Sequence, residues 1–221
     1  MIEHTFYINM TERTDRKEHV ENQLRSIGIS NFTRFPAIEL PNARAGCSLS
    51  HLRCLQLAES NGWEHVLIVE DDIEFLDPEM FRTQLASFLT RPPSSVVDVL
   101  LFAGNNIPPY EKVNDTCVKV LRCQTTTGYL VYRHYYASLI ANISEGLNLL
   151  LKHPEEHVKY AVDKWWFSLQ LKDAWYLIVP LSVVQRPDFS NIEKKETNYR
   201  HLMLDLDKRA FFFPENILSR K

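Results

Sequence analysis

Three consecutive carboxylates, Glu70, Asp71 and Asp72, directly follow an apolar run at residues 66–69. A short, uninterrupted apolar run is typical of a strand buried on both faces of a mainly parallel sheet. Such sheets bind ligands at the carboxyl ends of their strands, where the three acids would lie. Because adjacent carboxylates repel one another unless a cation or a proton is present, the segment predicts a site for Mn²⁺ or Mg²⁺ together with phosphate.

Side chains alternate along an extended chain, so Glu70 and Asp72 are predicted to face one way and Asp71 the other. Glu70 and Asp72 are therefore the predicted metal ligands. The alternative is an ordinary acidic loop after a core strand. A second acid pair, Asp205 and Asp207, has no apolar strand before it and is predicted to lie on the surface.

Two arginines, Arg13 and Arg16, follow Asn9 at the end of the first predicted strand. Guanidinium groups at the mouth of a strand–helix turn suit a phosphate or a nucleotide, because they present a forked set of donors. The alternative is a capped helix with ordinary surface charge, since Thr14 and Asp15 are good residues for a helix start.

A polar stripe is predicted on the next helix, where Ser50, His51 and Cys54 follow Cys47 by three, four and seven residues. Two cysteines and a histidine suggest zinc, but a structural zinc site normally has four protein ligands. We therefore expect no zinc on this stripe and interpret it as the wall of a cleft, with a packed interface as the alternative. The four cysteines of the chain are expected to be free thiols.

Two further segments carry candidate ligand contacts. Three threonines at residues 125–127 precede Gly128 at the start of a β-rich run, a composition that allows close approach to a ligand and equally fits a simple turn. Asp163 is followed by Trp165 and Trp166, and an acid beside large aromatic rings fits a sugar site. Such aromatic residues also commonly fill cores.

The composition excludes several classes of protein. With 221 residues and a formal net charge of −3, the chain lacks the concentrated basic face of a nucleic-acid-binding protein. No apolar stretch reaches the roughly 18 residues of a membrane span. The first residues lack the pattern of a secretory signal, so a cytoplasmic location is expected.

Predicted strands and helices alternate along the chain, which indicates an α/β fold with a mainly parallel central sheet flanked by helices. Strands are predicted at 5–9, 32–35, 66–69, 96–102, 118–121, 128–132 and 176–179, and helices at 14–27, 48–60, from residue 78, at 135–151 and at 163–171. A single domain, 1–221, is expected.

Taken together and in this order, the motifs resemble those of glycosyltransferase family 25, the lipopolysaccharide and procollagen galactosyltransferases. The matching residues are Tyr7, Ile8, Asn9, Met10, Arg13, Asp15, Arg16, Gly46, Cys47, Ser50, His51, Ile68 to Asp72, Gly128 to Val131, Asp163, and the segments 180–185 and 190–192. Two departures are Met10, in place of a usual leucine, and Asn191, where the family often has aspartate.

The resemblance implies a Rossmann-like nucleotide-sugar glycosyltransferase fold of the GT-A type, with a nucleotide-binding part at about 1–110 and an acceptor-binding part at about 111–221. It implies inverting transfer of a hexose, usually galactose, from a UDP-sugar to a hydroxyl of a glycan or a protein, with Mn²⁺ or alternatively Mg²⁺. At most a peripheral membrane association is implied. The residues it assigns to the donor are Asn9, Arg13, Arg16, Gly46, Ser50, His51, Asp71, Gly128 and Gln185; it assigns Glu70 and Asp72 to the metal and Asp163 to catalysis.

Two other functions remain open from the sequence. The same carboxylates could serve another metal-dependent phosphoryl transferase or hydrolase, although no Walker-type phosphate loop is present. The chain could also be a nucleotide-sugar-binding domain without catalysis. Nothing in the sequence separates galactose from glucose or xylose, and neither the acceptor nor the linkage can be inferred.

Overall fold

The computed structural model describes residues 2–93 and 96–209, which form a central sheet with helices on both faces. The strands are β1 (Thr5–Asn9), β2 (Thr33–Pro36), β3 (His65–Glu70), β4 (Ile73–Phe75), β5 (Val99–Leu101), β6 (Asn105–Asn106), β7 (Tyr110–Lys112), β8 (Cys117–Val120), β9 (Cys123–Gln124), β10 (Gly128–Tyr132), β11 (Trp175–Ile178), β12 (Val183–Gln185), β13 (Asp188–Ser190) and β14 (Lys195–Thr197). The helices are α1 (Thr14–Ser26), α2 (Ala43–Ser60), α3 (Pro78–Thr90), α4 (Tyr136–Lys152), α5 (His157–Tyr160), α6 (Val162–Trp165), α7 (Phe167–Gln170) and α8 (Arg200–Met203). Short 3₁₀ turns at Arg133–Tyr135 and Pro154–Glu156 precede α4 and α5.

The central sheet has eight strands in the order β2-β1-β3-β10-β5-β11-β8-β7. Strands β2, β1 and β3 are mutually parallel, and β5 is parallel to β11. Strand β10 runs antiparallel to both of its neighbours, and β8 runs antiparallel to β11 and β7. The predicted fold class, an α/β fold with a mainly parallel central sheet flanked by helices, is confirmed.

The core consists of two apolar layers, one on each face of the sheet. Val66 and Ile68 of β3 pack in the layer that contains residues of α2 and α4, and Leu67 and Val69 pack in the layer that contains residues of α1 and α3. All four of these side chains are fully buried. Residues 66–69 of β3 are therefore all apolar, because neither face of this part of the strand is in contact with water.

Most predicted elements are present, but the strand predicted at 96–102 is shorter (β5) and β4, β6, β7, β9 and β12 were not predicted. Three further differences concern longer segments. Helix α2 begins at Ala43 rather than at residue 48, because the Asn42 side chain accepts hydrogen bonds from the first backbone amides and caps the helix. The predicted helix at 163–171 is divided into α6 and α7. The polar segment after Pro187, for which the sequence indicated no element, contains the hairpin β13–β14.

None of the helices within residues 2–93 and 96–209 is long and apolar enough to span a membrane.

Gly46 is required where helix α2 approaches the loop after β2. A Cβ atom at residue 46 would lie 2.3 Å from the backbone oxygen of Ile38 and 3.3 Å from the backbone nitrogen of Leu40. Ser50, one turn later, accepts a hydrogen bond from the Ile38 amide and donates one to the Gly46 carbonyl. The glycine and the serine together hold this loop against the helix.

We therefore expect Gly46→Ala to lower the free energy of unfolding by about 1–3 kcal/mol, the usual effect of forcing a methyl group into a packed region. Helix propensity alone would give the opposite sign, since alanine favours a helix by about 1 kcal/mol over glycine. Urea denaturation measures the difference. Arg53→Ala, at an exposed position of the same helix, is the control and should change stability by less than about 0.5 kcal/mol. A Gly46→Ala protein as stable as the wild type would contradict the close approach.

Candidate active site at the carboxyl edge of the sheet

The three acids lie at the edge of the sheet where β1 and β3 end and β10 begins. Ile8 of β1 is in register with Glu70, and Gly128 of β10 is in register with Val69. The Glu70 amide donates to the Thr127 carbonyl at 2.9 Å, so the pairing continues to the last residue of the strand. Asp71 and Asp72 follow in a turn. The alternation of side chains expected for the triplet therefore stops at Glu70.

Glu70 points toward helix α2 and is surrounded by hydrogen-bond donors. Its Oε1 accepts a hydrogen bond from Thr126 Oγ1 at 2.9 Å and lies 3.4 Å from His51 Nε2 and 3.6 Å from Cys47 Sγ. The opposite nitrogen of His51 lies 2.8 Å from the hydroxyl of Tyr129. Burial alone would raise the pKa of Glu70, but the contacts with His51, Thr126 and Cys47 outweigh burial and hold that pKa below its usual value.

Asp71 is buried and anchored by two neighbours. Its carboxylate accepts hydrogen bonds from Asn9 Nδ2 at 2.7 Å and from Arg16 Nη1 at 3.0 Å. Asn9 is itself fixed, because its Oδ1 accepts from Arg34 Nε and its Nδ2 also donates to the Arg13 carbonyl. Burial raises the pKa of Asp71, although Arg16 and Asn9 oppose that shift. Asn9 thus supports Asp71 from behind.

Asp72 is the least compensated member of the triplet. Its Oδ1 is buried and has no hydrogen-bond partner among the described residues. Its Oδ2 lies 3.9 Å from Arg16 Nη1. Burial and the nearby charges of Glu70 and Asp71 raise the pKa of Asp72 well above its ordinary value. A buried, unpartnered carboxylate oxygen beside other acids is the arrangement that a hard divalent cation would stabilise, so these residues fit a metal of that kind.

Arg13 and Arg16 contact the hairpin β13–β14 as well as the acids. Arg13 Nη2 lies 2.8 Å from Asp188 Oδ2, Arg16 Nε lies 3.1 Å from the same oxygen, and Arg16 Nη2 donates to the Phe189 carbonyl. The pKa of Asp188 is lowered, since the Phe189 amide and the two arginines outweigh the effect of burial. Asp188 is therefore poorly suited to act as a base.

A cavity of about 340 Å³ opens in front of the acids. Its walls are formed by β1, the loop after β2, α2, the acid triplet and the hairpin segment. The residues that line it are Ile8, Met10, Arg13, Arg16, Ala37, Ile38, Glu39, Leu40, Ala43, Cys47, Ser50, Glu70, Asp71, Asp72, Gln185, Ser190, Asn191, Ile192, Thr197 and Tyr199. This volume lies within the range of small-molecule sites.

A second cavity of about 450 Å³ adjoins the first. Asp163 lies in its wall, and Asp163 Oδ2 accepts a hydrogen bond from the Thr125 amide at 3.1 Å. Burial raises the pKa of Asp163. The two cavities share Cys47, Glu70, Gln185, Ser190, Ile192 and Tyr199. Glu70 therefore stands between a cavity that contains the arginines and one that contains Asp163.

The predicted site residues divide into two groups. The first group lines one or both cavities and consists of Arg13, Arg16, Ser50, Glu70, Asp71, Asp72, Asp163 and Gln185. The others, Asn9, Gly46, His51 and Gly128, lie behind the lining and support it. Gly128 illustrates this role, because a Cβ atom there would lie 2.8 Å from Ile73 Cδ1. Their predicted contact with a donor stays a prediction.

The aromatic wall suggested by Trp165 and Trp166 does not form. Trp166 is fully buried in the core and donates through Nε1 to the Cys123 carbonyl. Trp165 packs on Gly146 of α4. Neither residue lines the two cavities, whereas Tyr199 lines both. The sequence carried no signal for Tyr199, which lies in a polar segment after the last of the predicted motifs.

No family model and no curated protein sequence matches this chain. Several solved structures are similar to it. A glycosyltransferase involved in glycosylation of the major capsid of PBCV-1 is 15% identical, with a TM-score of 0.43 over 81% of this chain and 94% of that chain. A mutant of Drosophila β1,4-galactosyltransferase 7, in complex with manganese, UDP-Gal and xylobiose, is 11% identical, with a TM-score of 0.41 over 100% of this chain and 80% of that chain.

A third similar structure is an apo UDP-glucose pyrophosphorylase, 8% identical with a TM-score of 0.45 over 80% of this chain and 72% of that chain. These three structures are thus two glycosyltransferases and one sugar nucleotidyltransferase. Identities at this level do not assign a family.

We expect Asp72→Asn to stabilise the metal-free protein. Because the pKa of Asp72 is higher in the folded than in the unfolded state, the folded state binds more protons, and the wild type loses stability as pH rises from about 4. The free energy of unfolding of the variant should match that of the wild type near pH 4 and exceed it by about 1 kcal/mol at neutral pH. A gain of this size is common when a destabilising residue of a functional site is replaced. Chemical denaturation in chelator across this range measures the difference. A variant less stable than the wild type at neutral pH would contradict the assignment.

Proposed function

We propose that this protein is a metal-dependent inverting glycosyltransferase that moves a hexose from a UDP-sugar to a hydroxyl of a glycan or a glycoprotein. The observation that supports this most is Asp72, whose buried Oδ1 has no partner among the described residues and whose carboxyl group lines a cavity with two arginines. The resemblance to family 25 supports galactose as the hexose. The second cavity, beyond Glu70, supports a two-substrate reaction.

The first cavity is proposed to bind the nucleotide sugar. Arg13 and Arg16 present guanidinium groups to it, and such groups suit a diphosphate. In the structure they contact Asp188, so the diphosphate would compete with this carboxylate for the same donors. The hairpin β13–β14 carries Asp188, and its contacts with the arginines would therefore change when the donor binds.

Glu70 and Asp72 are proposed to hold Mn²⁺ or Mg²⁺, whose positive charge offsets the negative charge that builds on the departing UDP. Asp71, tied to Asn9 and Arg16, keeps the turn after β3 in place. The backbone helps in the same way, since the Asp72 carbonyl accepts from the Arg186 amide at 2.7 Å. These contacts hold the carboxylates in position before the substrate arrives.

The second cavity is proposed to bind the acceptor, with Asp163 as the general base. The Asp163 carboxylate is held by the backbone amide of Thr125, and its raised pKa makes it a better proton acceptor. An acceptor hydroxyl beside Asp163 would lose its proton to this carboxylate as its oxygen attacks the anomeric carbon. Attack from the cavity opposite the leaving UDP gives one displacement and hence inversion.

We expect UDP binding to require Mn²⁺ and this requirement to be largely lost in Asp72→Asn. The physical reason is that the Asp72 carboxylate would bind the cation, and the cation would in turn bind the diphosphate of UDP. Titration calorimetry with and without Mn²⁺ measures the dependence. Asp115→Asn, at an exposed position that lines neither cavity, is the control and should bind UDP as the wild type does. Equal UDP affinity with and without the metal would refute the metal assignment.

We expect Asp163→Asn to lower the turnover rate by about 10²–10⁴, the usual contribution of a general base, with UDP affinity little changed. A purely structural role predicts a mild effect, because asparagine keeps an oxygen that can accept from Thr125. Asp163 is not a helix cap, since the residue at the start of α6 is Ala161. Steady-state kinetics with a UDP-sugar and an acceptor measures the loss. Retention of more than about a tenth of wild-type turnover would place the base elsewhere.

A further inference from the structure

Three potential ligand atoms of different chemistry converge at the boundary of the two cavities. Cys47 Sγ, a ring nitrogen of His51 and a carboxylate oxygen of Glu70 all lie within 4.8 Å of one another. Cys47 and His51 come from successive turns of α2, and Glu70 is the last residue of β3. Thiolate, imidazole and carboxylate are the three kinds of side chain that bind zinc in proteins.

Two of the three distances among these atoms match those between the ligands of a tetrahedral zinc ion, and the third, between Cys47 Sγ and the His51 nitrogen, is at most 4.8 Å. Ligand atoms at about 2.0–2.3 Å from a tetrahedral Zn²⁺ lie roughly 3.3–3.6 Å from one another. Glu70 Oε1 lies 3.4 Å from His51 Nε2 and 3.6 Å from Cys47 Sγ. A nitrogen–oxygen hydrogen bond is usually about 2.9 Å long, so the contact with His51 is long for one.

The neighbours of the three residues orient them as metal ligands are usually oriented. With zinc on Nε2, the Nδ1–H of His51 would donate to the Tyr129 hydroxyl oxygen, which lies 2.8 Å from Nδ1, and Nε2 is directed at Glu70. Thr126 Oγ1 donates to Glu70 Oε1 at 2.9 Å. Hydrogen bonds of this kind, donated by the second nitrogen of a histidine and accepted by a carboxylate ligand, set the ring orientation and strengthen metal binding.

We propose that Cys47, His51 and Glu70 form a zinc-binding site with a fourth position open to the cleft. The position is open because Cys47 and Glu70 line both cavities. Three protein ligands and one exchangeable position are the pattern of accessible rather than purely structural zinc sites. Binding replaces the thiol proton of Cys47 with the metal and releases that proton to solvent.

This site differs in chemistry from the one proposed at Asp72. Sulfur and nitrogen ligands select Zn²⁺ or Co²⁺, whereas carboxylate oxygens suit Mn²⁺ and Mg²⁺. Sequence spacing alone offered only Cys47, His51 and Cys54 for zinc, and on that ground no zinc was expected; the proposed site reverses that expectation because of Glu70. Cys54 instead lies in the hydrophobic core, and Glu70 takes its place. If the proposed function holds, zinc would also occupy Glu70 and inhibit the transfer reaction.

Titration of the chelator-treated full chain with Co²⁺ tests the site without any nucleotide. We expect a thiolate-to-cobalt charge-transfer band and intense visible bands of a tetrahedral ion, both saturating at one equivalent and both displaced by Zn²⁺. Cys47→Ser should abolish the charge-transfer band, and Cys117→Ser, at a cysteine that lines neither cavity, should retain it. Circular dichroism verifies that each variant is folded.

Absence of the band in folded wild type, or its persistence in Cys47→Ser, would overturn the zinc site. If Cys47→Ser does not fold, His51→Gln provides the second test, since it keeps the thiol but should lose the tetrahedral visible spectrum. Asp72→Asn should retain the cobalt bands. Metal-dependent UDP binding without a cobalt band would overturn this inference alone, and a cobalt band without UDP binding would overturn the proposed function alone.

Discussion

The structure depends on how three adjacent carboxylates are accommodated at the end of a buried strand. Neighbouring side chains compensate two of them, each in a different way. Glu70 is surrounded by Thr126, His51 and Cys47, and Asp71 is paired with Asn9 and Arg16. Only Asp72, among the three, keeps a buried oxygen without a partner in the described chain. The repulsion that a proton or a cation must relieve is therefore concentrated on one residue.

The fold brings the groups around these acids from distant parts of the chain. Strand β10 enters the sheet between β3 and β5 in the reverse direction, so its start, with Thr126 and Tyr129 nearby, meets the end of β3. The hairpin β13–β14 then places Asp188 against Arg13 and Arg16. An additional ion pair at 2.6 Å between Arg44 of α2 and Glu193 joins the hairpin to the far side of the cleft. The hairpin segment thus contributes to both cavities, and arginines hold it at its start, through Asp188, and at its turn, through Glu193.

The sequence predicted those helices and strands that depend on the local pattern of apolar and polar residues. The apolar run and the acids after it indicated β3 and the edge at which it ends, and the periodicity of the helices indicated α1 and α4 almost residue by residue. The cysteines are free, as expected. What the sequence could not predict are contacts between distant residues. His51 and Tyr129 are 78 positions apart, and nothing local indicates that their side chains meet.

The environment of Trp165 and Trp166, the aromatic pair beside Asp163, also depends on contacts between distant residues, and here the sequence led to a wrong prediction. Whether Trp166 faces a ligand or the core depends on the packing of α6 against β9. In the structure Trp166 lies in the core, and its Nε1 donates a hydrogen bond to the Cys123 carbonyl. Asp163 nonetheless lines the second cavity, because its partner is the backbone of Thr125 rather than either ring. Asp163 thus lies in a cavity wall and the predicted aromatic wall does not form; the catalytic role of Asp163 stays a prediction.

The most direct test of the proposed transfer reaction is to incubate the protein with a panel of UDP-sugars and to identify the products with and without Mn²⁺. We predict that at least one UDP-sugar releases UDP and that this release requires the metal. Release of UMP or of inorganic phosphate would instead indicate cleavage at phosphorus by a phosphoryl transferase or hydrolase. UDP binding with no release from any UDP-sugar, even with a range of glycan and protein acceptors present, would contradict the proposed transfer reaction and indicate a binding domain.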